Sequence, residues 1–530
     1  MTFTSLGFEG MVVAPHHLAA RAGLRVLQEG GDAIEAMLAS AATIAVVYPH
    51  MNGLGGDNFW LIHEPGREPV GIDACGGAAG CADSAFYHAA GYDVVPARGP
   101  MAALTVAGAV SGWQAAIQYS RQHWGGKFPL GRLFEDAVHY AQKGFPISQT
   151  QADNTREKLA ELKPLAGFAS VNLPEGRPLS RGERFRQPAL ATTLEKLARN
   201  GLDDFYRGRL SCEIAQDLKA VGSPLIVADL QRHRPLQVAP LSLTLKGDRL
   251  FNMPPPTQGL ASLLLLGIFD RMGVEKAETF EFVHGLIEST KQAFGVRDRY
   301  VTDPSYMSVD PADFLREAGL HEMAGQVNWQ KAAPWPGEQS AGDTVWLGAA
   351  DSSGRMVSFI QSLYWEFGAG VVLPQSGITW QNRGSSFSLD PEHHNCLKPF
   401  RRPFHTIQPA LARLADGRVM PYGTMGGEGQ PQTQAMIFSR HVLHGQRLQE
   451  AVTAPRWLLG RTWGAENTNL RIENRFNPAV ISALREAGHD VEEVGAFDDV
   501  MGHAGALVHH PDGLIEGVAD PRGDGQAAGF

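Results

Sequence analysis

The chain has 530 residues, 46 Lys and Arg against 56 Asp and Glu, and a net charge of -10. That balance excludes the basic face that nucleic acid or an anionic membrane surface would need. Hydrophobic content of 43% beside 19% charged residues is that of a globular protein able to bury a large core, and 60 glycines point to many tight turns. The four cysteines, Cys75, Cys81, Cys212 and Cys396, form no C-x-x-C pair and read as free thiols.

The first ten residues carry neither a basic residue nor an apolar run of signal-peptide length, so secretion is not expected. A strand is predicted over 10–14 and a helix over 17–28, stopped by Gly30-Gly31. Asp32 then caps a second, Ala-rich helix that runs to Val47 before Pro49. Gly53-Leu54-Gly55-Gly56-Asp57 precedes a strand over 58–63, an order opposite to that of a phosphate-binding loop. Further helices are predicted over 112–123, 130–143, 189–200, 210–221, 260–272 and 280–298, with strands over 241–245 and 249–252. The charged end of the helix over 280–298, Arg297-Asp298-Arg299-Tyr300, reads as a solvated or salt-bridged terminus.

Residues 329–342 form a polar, Pro-interrupted segment that reads as an exposed tether leading into Ser340-Ala341-Gly342-Asp343-Thr344-Val345-Trp346. A strand over 344–350 pairs by a hairpin with one over 356–362, and 504–509 and 514–519 repeat the pattern. Hairpins flanked by helices predict an α+β fold with antiparallel sheets covered by helices. The Gly-Asp-Thr sequence fits an ordinary turn before an edge strand. It also fits a self-made nucleophile, because a threonine hydroxyl is weak alone and a new α-amino group on the same residue, titrating near ~8, can take its proton. Gly426-Gly427, ahead of a helix over 435–442, fits a plain turn or a pair of backbone N–H groups for an oxyanion. Arg401-Arg402 reads as an anion-facing or solvated basic loop, and the loop of Arg383 as one whose guanidinium could fork onto a carboxylate. No metal-ligand spacing and no cofactor motif is present in the sequence.

Taken in order, Gly10-Met11-Val12-Val13-Ala14, Gly30-Gly31-Asp32-Ala33, Gly53-Leu54-Gly55-Gly56-Asp57, Phe205-Tyr206-Arg207-Gly208, Pro254-Pro255-Pro256-Thr257-Gln258-Gly259, Arg297-Asp298-Arg299-Tyr300 and Ala519-Asp520-Pro521-Arg522 resemble the signatures of the γ-glutamyltranspeptidase superfamily of N-terminal nucleophile hydrolases. The resemblance implies a four-layer αββα sandwich of two stacked, mainly antiparallel sheets flanked by helices. It implies a precursor that cuts itself between Asp343 and Thr344 into a large chain, 1–343, and a small chain, 344–530, as parts of one intertwined fold. By the same resemblance Thr344 is the nucleophile, Gly426 and Gly427 form the oxyanion hole, and Ser362 supports the threonine.

Where the transpeptidases hold the α-carboxylate of glutamate with an arginine this chain has Cys75, and around the α-ammonium it has Tyr364, Arg383 and Ser386. A cation at Arg383 without an acid at Ser386 repels an ammonium. The flanking serine pair becomes His405-Thr406. Tyr364, Arg383, Ser386, His405 and Thr406 therefore describe a small pocket suited to an anion. The loops around Arg383, Ser388 and His405 are similar to a cytoplasmic branch that includes oxamate amidohydrolase. The expectation is a cytoplasmic amidohydrolase without cofactor or metal, in which the partners are its own two chains, a small amide substrate such as oxamate, split to oxalate and ammonia, and a further copy in a homo-oligomer. A γ-glutamyl hydrolase or transferase, a cephalosporin-acylase-like enzyme, and an uncleaved binding protein are the alternatives.

Overall fold

The computed structural model describes residues 4–335, 343–460 and 468–530. Two seven-stranded sheets form its centre. One orders its strands Ser5–Gly7, Ile515–Ala519, Ala504–His509, Val419–Thr424, Ala410–Arg413, Asp248–Asn252 and Leu241–Leu245; the other runs Gln526–Gly529, Gly10–Ala14, Asp343–Asp351, Met356–Tyr364, Asp57–His63, Val70–Ala74 and Leu236–Val238. Every pairing within them is antiparallel. A small three-stranded sheet, Trp457–Leu459, Leu470–Glu473 and Val491–Val494, carries one parallel pair.

Side-chain alternation along the strands creates the layers. In Asp343–Asp351, Val345, Leu347 and Ala349 enter the core shared with the helices His17–Gln28 and Ala33–Val47, whereas Trp346 and Ala350 pack with Leu507 and Ile515 of the other sheet. A strand buried on both faces must be apolar on both, and this one is. The far face of the other sheet is covered by Gly259–Arg271, Phe280–Tyr300 and Gly429–Phe438. The result is the four-layer αββα sandwich expected from the resemblance. Residues on either side of Asp343-Thr344 contribute to both sheets, and Gly10–Ala14 lies between Gln526–Gly529 and Asp343–Asp351.

Most predicted elements occur with bounds within a few residues. Asp32 caps Ala33–Val47 through a capping box with Glu35. The helix predicted over 130–143 is broken at Phe134 into Leu130–Leu133 and Glu135–Lys143. The helix predicted over 435–442 begins earlier, as Gly429–Phe438, so it starts directly after the glycine pair.

One loop reading needs correction. Arg401 is buried and bonds the Cys396 carbonyl and Thr302, and Arg402 pairs with Asp73 at 2.6 Å and Asp303 at 3.2 Å, so this loop spends its charge inside the protein. The tether is exposed over most of its described part, as expected, and is anchored at Ala332 by the Ala487 carbonyl and at Ala333 by Glu288 and Lys291, while residues 336–342 of that segment lie outside the described residues. Among the described residues no helix is long and apolar enough to cross a membrane.

Candidate active site

Thr344 is fully buried at the start of its strand. Asp343 pairs with Tyr364 and Val345 with Gln361, so Thr344 alone faces two residues, Ser362 and Leu363. That bulge frees the threonine from regular pairing. It shares the parity of Trp346 and Ala350 and so belongs to the gap between the sheets. From the opposite layer, Gln430 Nε2 lies 3.3 Å from Thr344 Oγ. The Gln430 amide is oriented, because its Oε1 accepts from the Gln408 backbone N–H at 3.1 Å and its nitrogen must then face the threonine.

Gln430 stands in the first turn of Gly429–Phe438, directly after Gly426 and Gly427. Both glycines have positive φ, 104° and 49°, which turns the chain sharply between strand and helix. Their loop is clamped from behind. Gln258 Nε2 donates to the Gly427 carbonyl at 2.7 Å, Arg297 binds Gln258 Oε1 at 3.0 Å, and the same guanidinium pairs with Glu428 at 2.8 Å. Arg297 and Glu428 are both buried, so at that helix end the salt-bridged reading holds for Arg297, as an internal pair, while Arg299 is exposed. With its backbone fixed this way, a Gly-Gly turn can present N–H groups to a developing oxyanion without reorganising.

The residues expected to read the substrate meet at the other end of the bulge. Tyr364 has φ +85°, a backbone state that is costly for a bulky side chain. It is held by its own N–H on Ser362 Oγ at 2.8 Å, and the adjoining Trp365 N–H bonds Asn382 Oδ1 at 3.1 Å. The loop of Arg383 is thus stitched onto the turn, and the guanidinium lies 3.9 Å from the Tyr364 ring centre. Arg383 is fully buried, not solvated; Nη1 donates to Thr406 Oγ at 3.1 Å, and among the described residues Nε and Nη2 have no hydrogen-bond partner. Burial lowers its pKa to about 10, still charged at neutral pH. Thr406 and His405 are positioned by the Pro-rich turn, whose Pro256 carbonyl accepts from His405 N–H and whose Gln258 N–H donates to the His405 carbonyl, each at 2.9 Å. Burial, then Arg383 and Arg402, keeps the His405 imidazole neutral.

Thr344, Ser362, Tyr364, Arg383, His405, Thr406, Gly426 and Gly427 are therefore gathered by one chain of contacts through Gln258 and Gln430. Ser386 stands aside. Its Oγ bonds the Phe404 carbonyl at 3.2 Å, and it lines a cleft of ≈ 270 Å³ with Arg297, Asp298 and Asn395. Cys75 is a buried thiol whose pKa burial raises well above the usual value, so it supplies neither cation nor nucleophile.

Comparisons with known proteins give the family. The family model described as gamma-glutamyltranspeptidase matches residues 19–530. The chain belongs to the γ-glutamyltranspeptidase family. It is 53% identical to the oxamate amidohydrolase proenzyme of Klebsiella pneumoniae over 100% of both chains, and 39% identical to the glutathione hydrolase-like YwrD proenzyme of Bacillus subtilis, again over 100% of each. Among solved structures it superposes on the cephalosporin acylase from Bacillus halodurans with a TM-score of 0.92 and 33% identity, covering 100% of this chain and 97% of that one. As a member of this family it is an amidohydrolase of the N-terminal nucleophile class.

Within this member of the family, Asp57 went unnoticed as a site residue. It is fully buried and pairs with Ser362 in the sheet. Its Oδ1 accepts from Gly108 N–H at 2.9 Å and Gly76 N–H at 3.1 Å, and its Oδ2 lies 3.3 Å from His405 Nε2 without hydrogen-bond alignment. Its sequence signal was the signature Gly53-Leu54-Gly55-Gly56-Asp57, which assigns the carboxylate no role. A Cβ at Gly56 would sit 2.1 Å from the Ser362 carbonyl, so the glycines let this turn press against the strand that faces Thr344. Gln258, Arg297 and Gln430 were likewise missed as site residues, although the first two lay in recognised signatures.

One group with metal-ligand character exists among the described residues: His284, Glu288 and His489, with ligand atoms within 4.8 Å. Sequence spacing gave no hint of it, because His489 is distant in the chain. Its donors are already engaged. His284 binds the Asn328 carbonyl at 3.0 Å and His489 at 2.9 Å, and Lys291 Nζ sits 2.7 Å from Glu288 Oε1, a cation where a metal would compete.

Proposed function

We propose that the chain cuts itself between Asp343 and Thr344 and that the freed Thr344 hydrolyses a small amide bearing its own carboxylate, oxamate being the foremost candidate. The observation that carries the substrate class is the buried Arg383 guanidinium, with two nitrogens left over, beside Tyr364 at the edge of the nucleophile's bulge. A planar cation so placed suits a carboxylate in two-point contact.

The reaction runs in two acyl transfers. Thr344 Oγ attacks the amide carbon while its α-amine takes the hydroxyl proton. The oxyanion forms against the Gly426 and Gly427 N–H groups. The C–N bond then breaks as the ammonium returns its proton to the leaving nitrogen, releasing ammonia and leaving an ester on Thr344. Water attacks the ester carbonyl, its proton passes to the amine, and the C–O bond breaks to give the dicarboxylate and the threonine hydroxyl. Gln430 holds Oγ in line through this cycle, and Ser362 fixes the turn on which Tyr364 sits. In the precursor the α-amine is still the amide nitrogen of the Asp343-Thr344 peptide: Thr344 Oγ attacks the Asp343 carbonyl carbon, the hydroxyl proton passes to that nitrogen as the C–N bond breaks, and water then hydrolyses the resulting ester to free the Asp343 carboxylate and the Thr344 hydroxyl. The four free thiols suit a reducing compartment, and we place the enzyme in the cytoplasm.

A second reading, an acylase or γ-glutamyl hydrolase for larger acyl groups, is favoured by the cleft next to Ser386 and by the likeness to a cephalosporin acylase. One assay separates the two. N-terminal sequencing of the small chain should read Thr-Val-Trp, and that protein should release ammonia from oxamate far faster than it releases the amine of a γ-glutamyl anilide or deacylates a cephalosporin. The reverse preference would move the function to the second reading.

A further inference from the structure

We propose that Asp57 sets the charge of the acyl pocket, so that one buried proton decides whether the enzyme binds an anionic amide or discriminates against it. This inference rests on the amidohydrolase reading above and names what tunes its specificity.

The geometry is that of a buried acid set among the residues proposed to read the substrate. Asp57 is one strand away from Thr344, through its ladder partner Ser362. Glycines 76 and 108 aim two N–H groups at Oδ1, and a Cβ at Gly108 would lie 2.9 Å from that oxygen and 1.6 Å from the Ala74 carbonyl, so the close approach requires glycine. Oδ2 is turned toward His405 and, among the described residues, has no aligned hydrogen-bond partner. The groups that act on Asp57 come from each packed element: Arg383 from the loop over 382–387, His405 from the loop before Ala410–Arg413, Gln381 beside Arg383, Cys75 after Val70–Ala74, and Tyr206. His405, Cys75 and Tyr206 are all held neutral by burial. Arg383 and Asp57, with the Thr344 α-amine freed by self-cleavage, are thus the groups whose charges decide the pocket.

With its proton on, Asp57 is neutral and Arg383 is an uncompensated cation facing the substrate. With its proton off, the carboxylate offsets Arg383, and an anion entering the pocket loses the attraction and meets a like charge. Burial raises the Asp57 pKa to about 7, against the lowering pull of Arg383 and of the Gly108 and Gly76 amides. The sign follows: an anionic amide binds best below that value and weakens as pH rises through it, and its binding promotes proton uptake. A neutral amide of the same shape feels neither effect.

The test is steady-state kinetics of the self-cleaved enzyme between about pH 6 and pH 8 on oxamate and on oxamide, which replaces the carboxylate by a neutral amide. The KM for oxamate should rise by roughly tenfold across that range while the KM for oxamide stays level. Asp57→Asn, which keeps an oxygen for the Gly76 and Gly108 N–H groups, should give an oxamate KM that no longer changes with pH. A level oxamate KM in the wild type, parallel profiles for the two substrates, or a rise that survives in Asp57→Asn would each overturn the inference. The Thr344 α-amine also titrates near this range, and kcat/KM for oxamide reports its value in the free enzyme, so an oxamate KM that rises with the amine's midpoint and not with a lower one overturns the inference even where Asp57→Asn fails to fold. Turnover of oxamate with a level KM removes only this inference, whereas no ammonia from oxamate at any pH removes the amidohydrolase reading for that substrate as well.

Discussion

The two ends of the bulge at Thr344 are built on opposite terms. At the reaction end the side chains of Gln430, Gln258, Arg297 and Glu428, with the Gln408 backbone N–H, engage one another and the glycine loop in hydrogen bonds and a buried ion pair, and only the neighbouring Gln408 Oε1 of this group lacks a partner among the described residues. At the recognition end Arg383, His405 and Asp57 are equally buried, yet among the described residues each keeps polar atoms without an aligned partner. A closed network holds geometry; an open one costs stability and awaits a ligand. The contrast separates what fixes the chemistry from what chooses the substrate, and variants on either side should behave differently.

The largest effect belongs to Thr344, the proposed nucleophile. Thr344→Ala should leave a single chain of 57.3 kDa on a denaturing gel and reduce turnover of every amide to background, whereas Thr344→Ser should still cleave. Two chains from the alanine variant would break the assignment of the reaction end. Next comes the clamp behind the glycines. Arg297→Met strands the buried Glu428 carboxylate, and loss of one member of such a pair costs about 3–5 kcal/mol, to be read as a fall in the urea midpoint of unfolding. An unchanged midpoint would mean that the reaction end is not held by this pair.

On the open side, Arg383→Met should lower kcat/KM for oxamate by about 10²–10³, from losing a charge-assisted two-point contact, and lower that for oxamide by much less. Equal losses on both substrates would show that Arg383 shapes the pocket instead of reading the carboxylate. Stability should respond in the opposite direction to activity, since removing a buried cation with unpaired nitrogens also removes its desolvation cost.

Much of the fold was legible because its strands and helices carry simple local signals. Asp32 before an Ala-rich run, Gly30-Gly31 after an amphipathic one, and Asp-Ser-Ser-Gly between two apolar strands each have one physical reading. Short strands such as Ala410–Arg413 and Gln526–Gly529 were not foreseen, because their register comes from neighbours far away in sequence. At the site the same division appears. Thr344, Gly426 and Gly427 could be found by motif and resemblance, but burial could not, so Arg383 and Arg297 were given a solvated alternative that the packing removes. Asp57 is the clearest case. Its role depends on His405, which the Pro-rich turn brings across the gap between sheets, and no local pattern records that encounter.

The smallest effect expected is at Gln430. Its amide is a neutral donor to Thr344 Oγ, and a hydrogen bond of that kind contributes about 0.5–1.5 kcal/mol, so Gln430→Ala should slow kcat by roughly 2–10-fold. The loss should be the same for oxamate and oxamide and for self-cleavage, since the threonine oxygen is common to all three. KM should hold, because Gln430 touches the nucleophile and not the carboxylate pocket. Gln430→Glu is the sharper variant: its Oε1 can still accept from Gln408 N–H, but the other oxygen can no longer donate to the threonine while ionised. If both variants slow all three reactions alike, Gln430 belongs to the closed network. If the effect instead follows the substrate's charge, the boundary between the two ends lies on the other side of Gln430, and the glycine turn takes part in recognition.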